Sequence, residues 1–417
     1  MLAVLLLVAL SHAGAQTPSV AHPAIVSEIL VHGNVLTADE EVRRLAGVAA
    51  GEAVTPTLAG DVAARLRASH RFQQVDVRTR FASIADPSQI VLVIIVDEGP
   101  VSIESAGEGA QPTVVKSRGP HLLYFPILNA EDGYGATYGM RLALADRVGR
   151  SSRVSFPLTW GGEKQVGAEL DKRFNSGPLN RLIAGASLSR RTNPLFEQDD
   201  DRAQVSVRGE RQLLPAVRAG ASVSWQHVSF GGADDRFAQA GADISVDTRV
   251  DPVLPRNAVY ARARVDRLDF HSAGGMVRTQ IDGRGYLGLA GQMILAVRAT
   301  REAADGNLPP YEKLLLGGMA NLRGFGAGTA AGDTLVAGSV ELLVPLTSPL
   351  RVGRIGVSAF VDEGTVYGHG AHFGDQTLKR GVGGSVWFSA AFVRLSIAVA
   401  HGISGSTHVH AGGSLMF

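Results

Sequence analysis

A single arginine lies in a stretch of the chain that has few other large side chains. The stretch Gly317–Leu335 reads GGMANLRGFGAGTAAGDTL, with six glycines around Arg323 and Phe325. So many glycines exclude a helix or a buried strand, because glycine loses much conformational entropy on folding and has no side chain to pack. The composition therefore predicts a long, flexible loop. It carries one guanidinium, a group whose planar fork can bind two carboxylates at once.

Two carboxylates that Arg323 could meet lie on the two strands predicted after this loop. In 336–344 the apolar residues alternate with polar ones that include Glu341, and in 355–364 they alternate with residues that include Asp362. Because successive side chains of a strand point to opposite faces, both acids are expected on the inner side of neighbouring strands. Two like charges that are partly removed from water are costly unless a cation joins them. On spacing alone two interpretations stay open: Arg323 binds both acids, or it is a solvated loop residue and the acids only line a wet interior.

Other residues with chemical potential support weaker hypotheses. His408 and His410 lie two residues apart on one face of a predicted strand and could share a metal, but no third ligand is evident, so a structural role is favoured. The acidic run Asp199–Asp201 is typical of a solvated turn. The motifs G-x-S-x-G, H-E-x-x-H and G-x-x-x-x-G-K do not occur in the sequence, and an arginine beside two acids keeps them ionised. We therefore expect no enzyme activity, no metal and no cofactor.

Composition narrows the class of protein further. The 417 residues include 50 glycines, well above the usual share of about 7%. The formal net charge of +1 gives no electrostatic footprint for DNA or RNA, so no nucleic-acid partner is expected. The sequence has no cysteine, which excludes disulfides, cysteine zinc sites and thiol nucleophiles.

The N-terminal residues 1–15 are predicted to be a secretory signal peptide. An apolar run, Leu2–Leu10, is followed by the small-residue cleavage pattern Ala13–Ala15. No Lys or Arg precedes the run, so the true start is expected to lie upstream. Later apolar runs fall far short of the roughly 20 residues of a membrane helix. This narrows the class to a secreted soluble protein or an outer-membrane barrel.

Residues 24–99 are predicted to form a small α+β domain with the element order β-α-α-β-β. Strands are expected over 25–31, 72–81 and 90–96, and helices over 37–45 and 58–69. Thr37 followed by Glu40 has the spacing of a capping box, with Thr37 as the N-cap of the first helix. Residues 100–119 are predicted to be a linker.

Residues 120–417 are predicted to form an all-β transmembrane barrel of about 16 antiparallel strands. Helical periodicity gives way to alternation of apolar and polar residues in segments of roughly 9 to 14 residues, the length of a tilted membrane crossing. About eleven segments fall between 121 and 302. Five more follow the glycine-rich loop, over 334–345, 353–366, 377–389, 391–401 and 407–417. The last strand ends on an outward-facing aromatic residue, Phe417, and the first contains Pro126, which would remove one ladder bond.

Five short motifs occur in the order found in one family of barrels. They are Val96–Pro100, Asp247–Arg249 with Pro252 and Pro255, Leu322–Phe325 preceded by Gly317 and Gly318, Ser339–Leu342, and Phe360–Gly364. Together they resemble the BamA/TamA-type outer-membrane protein assembly superfamily, in which a bacterial surface antigen barrel follows POTRA domains. The 24–99 unit is similar to one POTRA domain. A single such domain is typical of an auxiliary member rather than the central one.

The resemblance implies that the loop tip folds into the barrel, where Arg323 pairs with Glu341 and Asp362. Gly324 and Phe325 complete this loop-lock motif; Gly317, Gly318 and Gly364 are its further glycines, and Phe417 is a C-terminal strand signal.

For function, the resemblance implies insertion and assembly of outer-membrane proteins through a seam between the first and last strands, with a strand of the substrate adding to an exposed edge. The expected location is the outer membrane of a Gram-negative bacterium, with the POTRA-like domain in the periplasm. Expected partners are unfolded outer-membrane protein clients, outer-membrane lipids, and periplasmic chaperones or accessory lipoproteins. Two alternatives stay open: a secretion pore for one dedicated protein, and a surface-antigen barrel without a client.

Overall fold

The chain divides into two compact units. The first contains residues 1–121 and Val250–Arg256, and the second contains Leu122–Arg249 and Asn257–Phe417. The computed structural model describes residues 24–72, 74–83, 86, 88–98, 101–104, 113–116, 122–149, 151–174, 176–251, 254–347, 353–390, 393–403 and 405–415. The predicted signal peptide and Phe417 lie outside the described residues. No helix in these ranges is long and apolar enough to cross a membrane.

The N-terminal unit is a three-stranded sheet with two helices, in the predicted order β-α-α-β-β. Its elements are β1 (Ile25–His32), α1 (Asp39–Ala46), α2 (Leu58–Ala68), β2 (Gln74–Phe81) and β3 (Gln89–Asp97). β3 lies in the centre, parallel to β1 and antiparallel to β2. The core contains fully buried aliphatic side chains from β1, both helices and β3. They are Val26, Val42, Val62, Leu66, Leu92 and Ile94. This arrangement resembles a POTRA domain, and it leaves β1 and β2 as sheet edges.

The start of α1 differs from the prediction. Its N-cap is Ala38, and no side chain caps the helix, so the expected role of Thr37 is wrong. Instead, the carboxylate of Glu98 accepts hydrogen bonds from three backbone N–H groups that precede the helix, at 2.7 Å from Val35, 2.5 Å from Leu36 and 2.8 Å from Thr37. The buried carboxylate of Glu98, just after β3, thus satisfies backbone donors ahead of the helix, including the Thr37 N–H that Glu40 would have bound in a capping box.

The region predicted as a linker contains two short strands. Val101–Glu104 (β4) and Thr113–Lys116 (β5) pair as an antiparallel ribbon.

The second unit is a closed antiparallel barrel of 16 strands, as predicted. Eleven strands precede the glycine-rich loop: β6 (Leu122–Glu131), β7 (Gly135–Ala145), β8 (Ser152–Gly161), β9 (Glu163–Arg173), β10 (Arg181–Thr192), β11 (Asp199–Leu214), β12 (Val217–Phe230), β13 (Ala233–Asp247), β14 (Ala258–Phe270), β15 (Gly274–Gly288) and β16 (Ile294–Ala304). Five follow it: β19 (Thr334–Thr347), β20 (Gly353–Tyr367), β21 (Lys379–Ala390), β22 (Val393–Gly402) and β23 (Thr407–Leu415). Because the barrel is closed, every strand pairs with a neighbour on both sides. A bilayer requires this, because its hydrocarbon core cannot form hydrogen bonds with backbone groups.

The two faces of the barrel wall follow the predicted alternation. Outward-facing aliphatic and aromatic side chains are exposed, for example Val205, Val223 and Trp225. Inward-facing side chains form ion pairs along the wall, such as Arg208 with Asp243 and Arg264 with Asp266, each at 2.6 Å. Arg264 and Asp266 pair within β14, and Arg208 on β11 pairs with Asp243 on β13, across β12. Neutralisation of inward-facing charges by such pairs explains why Arg and Asp recur together on the polar face.

Several strands are longer than the predicted limit. β11 has 16 residues, and β13, β15 and β20 have 15 each. A hydrophobic cluster lies at one end of β12 to β15, where it packs with Leu308 and Tyr311 from the loop after β16. The buried members of the cluster on these strands are Phe230, Phe237, Leu268, Phe270 and Met276. Alternation does not mark where the membrane crossing ends, because a hairpin that continues beyond it keeps the same period.

β23 and β6 pair with each other and close the barrel at a seam. Among the described residues, this ladder has two registered pairs, Gly413 with Ala130 and Ser414 with Asn129. The flanking ladders are longer, with ten pairs between β6 and β7 and nine between β22 and β23. Pro126 lies in β6, outside the described part of the seam ladder.

Candidate functional site

The glycine-rich segment lies in a long connection between β16 and β19 and contains regular structure that the sequence does not predict. Leu314–Leu316 (β17) pairs with Ala330–Gly332 (β18), so a short strand does occur in the run. Asn321 fastens the start of the turn, because its Oδ1 accepts from Gly317 N–H at 2.8 Å and its Nδ2 donates to Leu315 O at 3.0 Å. The expectation that the run excludes a strand is therefore wrong, and side-chain and backbone hydrogen bonds hold the segment in the described structure.

Two glycines of the motif are required by close contacts at the loop tip. Gly318 has φ +76°, and a Cβ there would lie 2.9 Å from Asp132 Oδ2. Gly324 has φ +92°, and a Cβ there would lie 2.9 Å from the backbone nitrogen of Gly402. Both conformations favour glycine, and both positions leave no room for a side chain.

Arg323 lies between the two predicted acids. Its Nε and Nη2 donate to the two carboxylate oxygens of Asp362, at 2.7 Å and 2.8 Å, in a bidentate pair. Its backbone N–H donates to Asp362 Oδ2 at 3.0 Å, and Nη1 donates to Glu341 Oε2 at 3.0 Å. These contacts join the loop tip to β19 and β20, where alternation predicts the acids.

Hydroxyl groups and an aromatic ring complete the surroundings of the guanidinium. Ser339 accepts from Arg323 Nη2 at 3.1 Å and donates to Asp362 Oδ1 at 2.6 Å, and Ser358 donates to Glu341. The guanidinium carbon lies 3.3 Å from the centre of the Phe360 ring, a cation–π contact. Asp362 is 2% exposed and Arg323 9% exposed. A buried carboxylate, Asp362, and a partly buried one, Glu341, share this cation. The group stays together because separation would leave a buried charge without a partner.

Two glycines of the barrel wall leave space for the backbone of the loop tip. A Cβ at Gly381 on β21 would lie 1.8 Å from Arg323 O, and one at Gly402 on β22 would lie 2.6 Å from Gly324 O. These wall residues were not singled out from the sequence, although Gly381 alternates with the apolar residues of its strand.

The remaining residues of the predicted site lie near the same point. Phe325 extends toward Gly402, and Lys379 Nζ lies 5.2 Å from the centre of its ring. Gly317 has φ +110° within the loop, and Gly364 is buried on β20, where a Cβ would approach Leu316 Cδ1 to 3.2 Å. The structure therefore brings together every predicted motif residue that it describes, and their role as a lock stays a prediction. Phe417 lies outside the described residues.

His410 belongs to this site, which sequence reasoning missed. Its ring is 1% exposed; Nε2 accepts from Gly324 N–H at 2.9 Å, and Nδ1 lies 2.6 Å from Asp132 Oδ2. His408 lies on the same face, with its ring 5.9 Å from that of His410. In the part of the chain that the structure describes, no group of three His, Cys, Asp or Glu residues could hold a metal ion. The inward position of His410 was a usable signal, but its partner Asp132 lies 278 residues earlier.

Comparisons with known proteins agree with this fold. A model of the Omp85 superfamily domain matches residues 136–408. The structure is similar to the crystal structure of BamA from Haemophilus ducreyi lacking POTRA domains 1–3, with a TM-score of 0.60 and 13% identity over 94% of this chain and 84% of that chain. It is also similar to CdiB from Escherichia coli, with a TM-score of 0.54 and 13% identity over 97% of this chain and 92% of that chain.

A comparison with curated proteins found no match. At 13% identity, the structural likeness shows a shared fold. The family model spans more than half of the chain and includes the loop tip with Arg323 and both acids. The chain therefore belongs to the Omp85 superfamily of outer-membrane β-barrels.

Proposed function

We propose that this protein assists the insertion and assembly of outer-membrane proteins, with a strand of the client adding to β6 or β23 at the seam. The observation that carries this proposal is the short seam ladder, with two registered pairs among the described residues against nine and ten at the flanking interfaces. A strand edge is a template for another strand, since its backbone N–H and C=O groups need partners.

The cost of opening supports the seam over other interfaces. In a bilayer, each backbone group that loses its partner costs several kcal/mol, by rough estimate, unless a new strand replaces it. Among the described residues, opening the two pairs of the seam exposes fewer such groups than opening the nine or ten pairs of a flanking interface. A client strand that pairs as the seam separates would satisfy them again.

The N-terminal unit offers a second place for a client. Its sheet ends in β1 on one side and in β2 on the other. Residues 51–54 cover only the start of the β1 edge, through backbone hydrogen bonds with Ala24 and Val26. In this proposal the unit lies in the periplasm and receives an extended segment of the client by strand addition before insertion.

A disulfide across the seam tests the proposal. Ala130→Cys with Gly413→Cys places two thiols on a registered pair, at the Cα separation of about 4.5 to 5.5 Å that suits a disulfide. The chain has no other cysteine, so any disulfide formed within it is the engineered one. Reconstituted into lipid vesicles, the oxidised protein should insert an unfolded barrel client much more slowly, and reduction should restore the rate.

The matched control is Val361→Cys with Val382→Cys, a registered pair on the outer face of β20 and β21. This disulfide should leave insertion unchanged. Insertion at the same rate with the seam oxidised and reduced would contradict the proposal.

A secretion pore for one dedicated protein is the second candidate. It is favoured by a cavity of about 550 Å³ beside the loop, whose lining includes the charged residues Arg191, Arg202, Arg278 and Glu312. The shared fold does not choose between the candidates, because BamA and CdiB both match it.

A further inference from the structure

The seam is held by more than its backbone ladder. Beyond the pair of Gly413 and Ala130, the same register would place Asp132 opposite Ala411, next to His410. At this point the described backbone pairing stops, and the 2.6 Å contact between His410 Nδ1 and Asp132 Oδ2 joins β23 to the turn after β6.

The same two side chains hold the tip of the loop. Gly324 N–H donates to His410 Nε2 at 2.9 Å, and Met319 N–H donates to Asp132 Oδ2 at 3.2 Å. Gly324 directly follows Arg323, which is fixed by Glu341 and Asp362. Each partner of the seam contact therefore also binds the loop.

The geometry assigns the protonation pattern of the ring. Nε2 receives a hydrogen bond from a backbone N–H, so it must present its lone pair and carry no proton. The proton of the neutral ring is then on Nδ1, which donates it to the Asp132 carboxylate. Only this tautomer makes both bonds, and the ring is 1% exposed, so water does not compete for either.

We propose that His410 and Asp132 form a clasp that couples closure of the seam to seating of the loop tip. His410 is a positioning residue in this proposal, which rests on the proposed function at the seam. With the loop seated, Gly324 and Met319 hold the ring and the carboxylate in place for each other. When the loop tip withdraws, both lose a partner, and the seam keeps only its short backbone ladder. Coupling of this kind is reciprocal, so opening of the seam loosens the loop tip by the same factor.

Amide hydrogen exchange in the full-length protein, in lipid nanodiscs, tests the clasp. In His410→Ala, exchange in 407–415 and 122–131 should be faster by about tenfold, the factor expected from losing one buried hydrogen bond to a charged group. His408→Ala is the matched control, since the hydrogen bond of His408 is with Ser406 and its ring stacks on His410, whereas Gly324 and Asp132 bond to His410. Exchange at the interface of β9 and β10 should not change in either variant.

The variant His410→Gln distinguishes loss of the two hydrogen bonds of His410 from a general loss of folding. A glutamine amide can accept from Gly324 and donate to Asp132, so it should restore slow exchange in part, whereas His410→Leu should not. Equal exchange at the seam in His410→Ala and His408→Ala would overturn the clasp.

Reciprocity supplies a readout that a merely structural residue would not change. Oxidation of the Ala130→Cys/Gly413→Cys pair should slow exchange in the loop segment 317–329, and His410→Ala should abolish this protection. Equal protection with and without His410 would overturn the coupling. These outcomes are independent of client insertion: if oxidation leaves insertion unchanged, the proposed function fails while the clasp stands.

Discussion

At the residue scale, Arg323 is a cation shared by two carboxylates and an aromatic ring. A buried ion pair adds little net stability compared with apolar packing, but loss of one partner is costly because it leaves a buried charge. Here two acids depend on one cation, so the cost of removing Arg323 should exceed that of removing Glu341 alone.

Arg323→Ala should lower the free energy of unfolding of the barrel by about 3 to 5 kcal/mol, since Asp362 would then be buried without its partner. The measurement is unfolding in urea, followed by the heat-modifiable shift in gel migration. Arg380→Ala is the control: its pair with Glu363, at 2.7 Å, has Arg380 59% exposed, and such surface pairs contribute about 0 to 1 kcal/mol. An equal effect of both variants would contradict the buried lock.

Glu98 gives the N-terminal unit a dependence on pH. Burial raises the pKa of the Glu98 carboxyl, but hydrogen bonds from the backbone of Leu36, Val35 and Thr37 outweigh it, and the pKa is lowered overall. A lowered pKa in the folded state means that the stabilisation is complete above the unfolded value of about 4.3. It is lost as the pH falls through the folded value.

Glu98→Gln should therefore destabilise the N-terminal unit at neutral pH by about 1.5 to 3 kcal/mol, the contribution of hydrogen bonds to a charged group. The difference between the variant and the native chain should vanish at acidic pH. Amide exchange in 35–46, compared at each pH between the two proteins, measures it. A difference that persists unchanged below the folded pKa would exclude Glu98 as the titrating group.

At the scale of elements, the loop and the wall are shaped for each other. The loop tip passes β21 and β22 where both strands have glycine, and Arg323 O lies where a side chain of residue 381 would otherwise be. The position of the loop tip therefore depends on Gly381 and Gly402, which contribute the space that a side chain would fill.

Gly381→Ala should displace the loop tip and weaken the contacts of Arg323, because the added Cβ would lie 1.8 Å from Arg323 O. We expect a loss of about 1 to 3 kcal/mol, as for overpacking of a tight interior. The control is Gly285→Ala on β15, where a Cβ meets nothing within 4 Å. Unfolding in urea compares the two; equal midpoints would show that the loop does not press on β21.

At the scale of the whole barrel, sixteen strands enclose an interior wide enough for water, and the loop between β16 and β19 occupies part of it. The loop tip spans the inner faces of β19 to β23 through its contacts with Asp362, Glu341 and His410. This favours a barrel that is largely closed to ions while the loop tip is seated.

The native protein should therefore show low conductance in planar bilayers, and deletion of 319–328 should raise it severalfold by removing the loop tip from the interior. Single-channel recording measures the change, with Arg380→Ala as a control of unchanged conductance. High conductance of the native protein would favour the secretion pore instead.

Local patterns in the sequence determined the barrel and much of the lock. Alternation predicted sixteen strands and the inner faces of Glu341 and Asp362, because the period of two is a property of each strand by itself. The motif around Arg323 identified the residue that meets them. Cap and boundary predictions were weaker, as Thr37 shows, because they depend on single donors that a distant residue such as Glu98 can satisfy.

Only the tertiary structure decided what joins distant parts of the chain. The contact of His410 with Asp132, the fit of Gly381 to Arg323 O and the short ladder of the seam each link segments far apart in sequence. Alternation determines which face of a strand a residue occupies but not its register against a strand hundreds of residues away. For that reason the sequence predicted the arginine and its acids, while the contacts of His410 with Asp132 and Gly324 were visible only in the closed barrel.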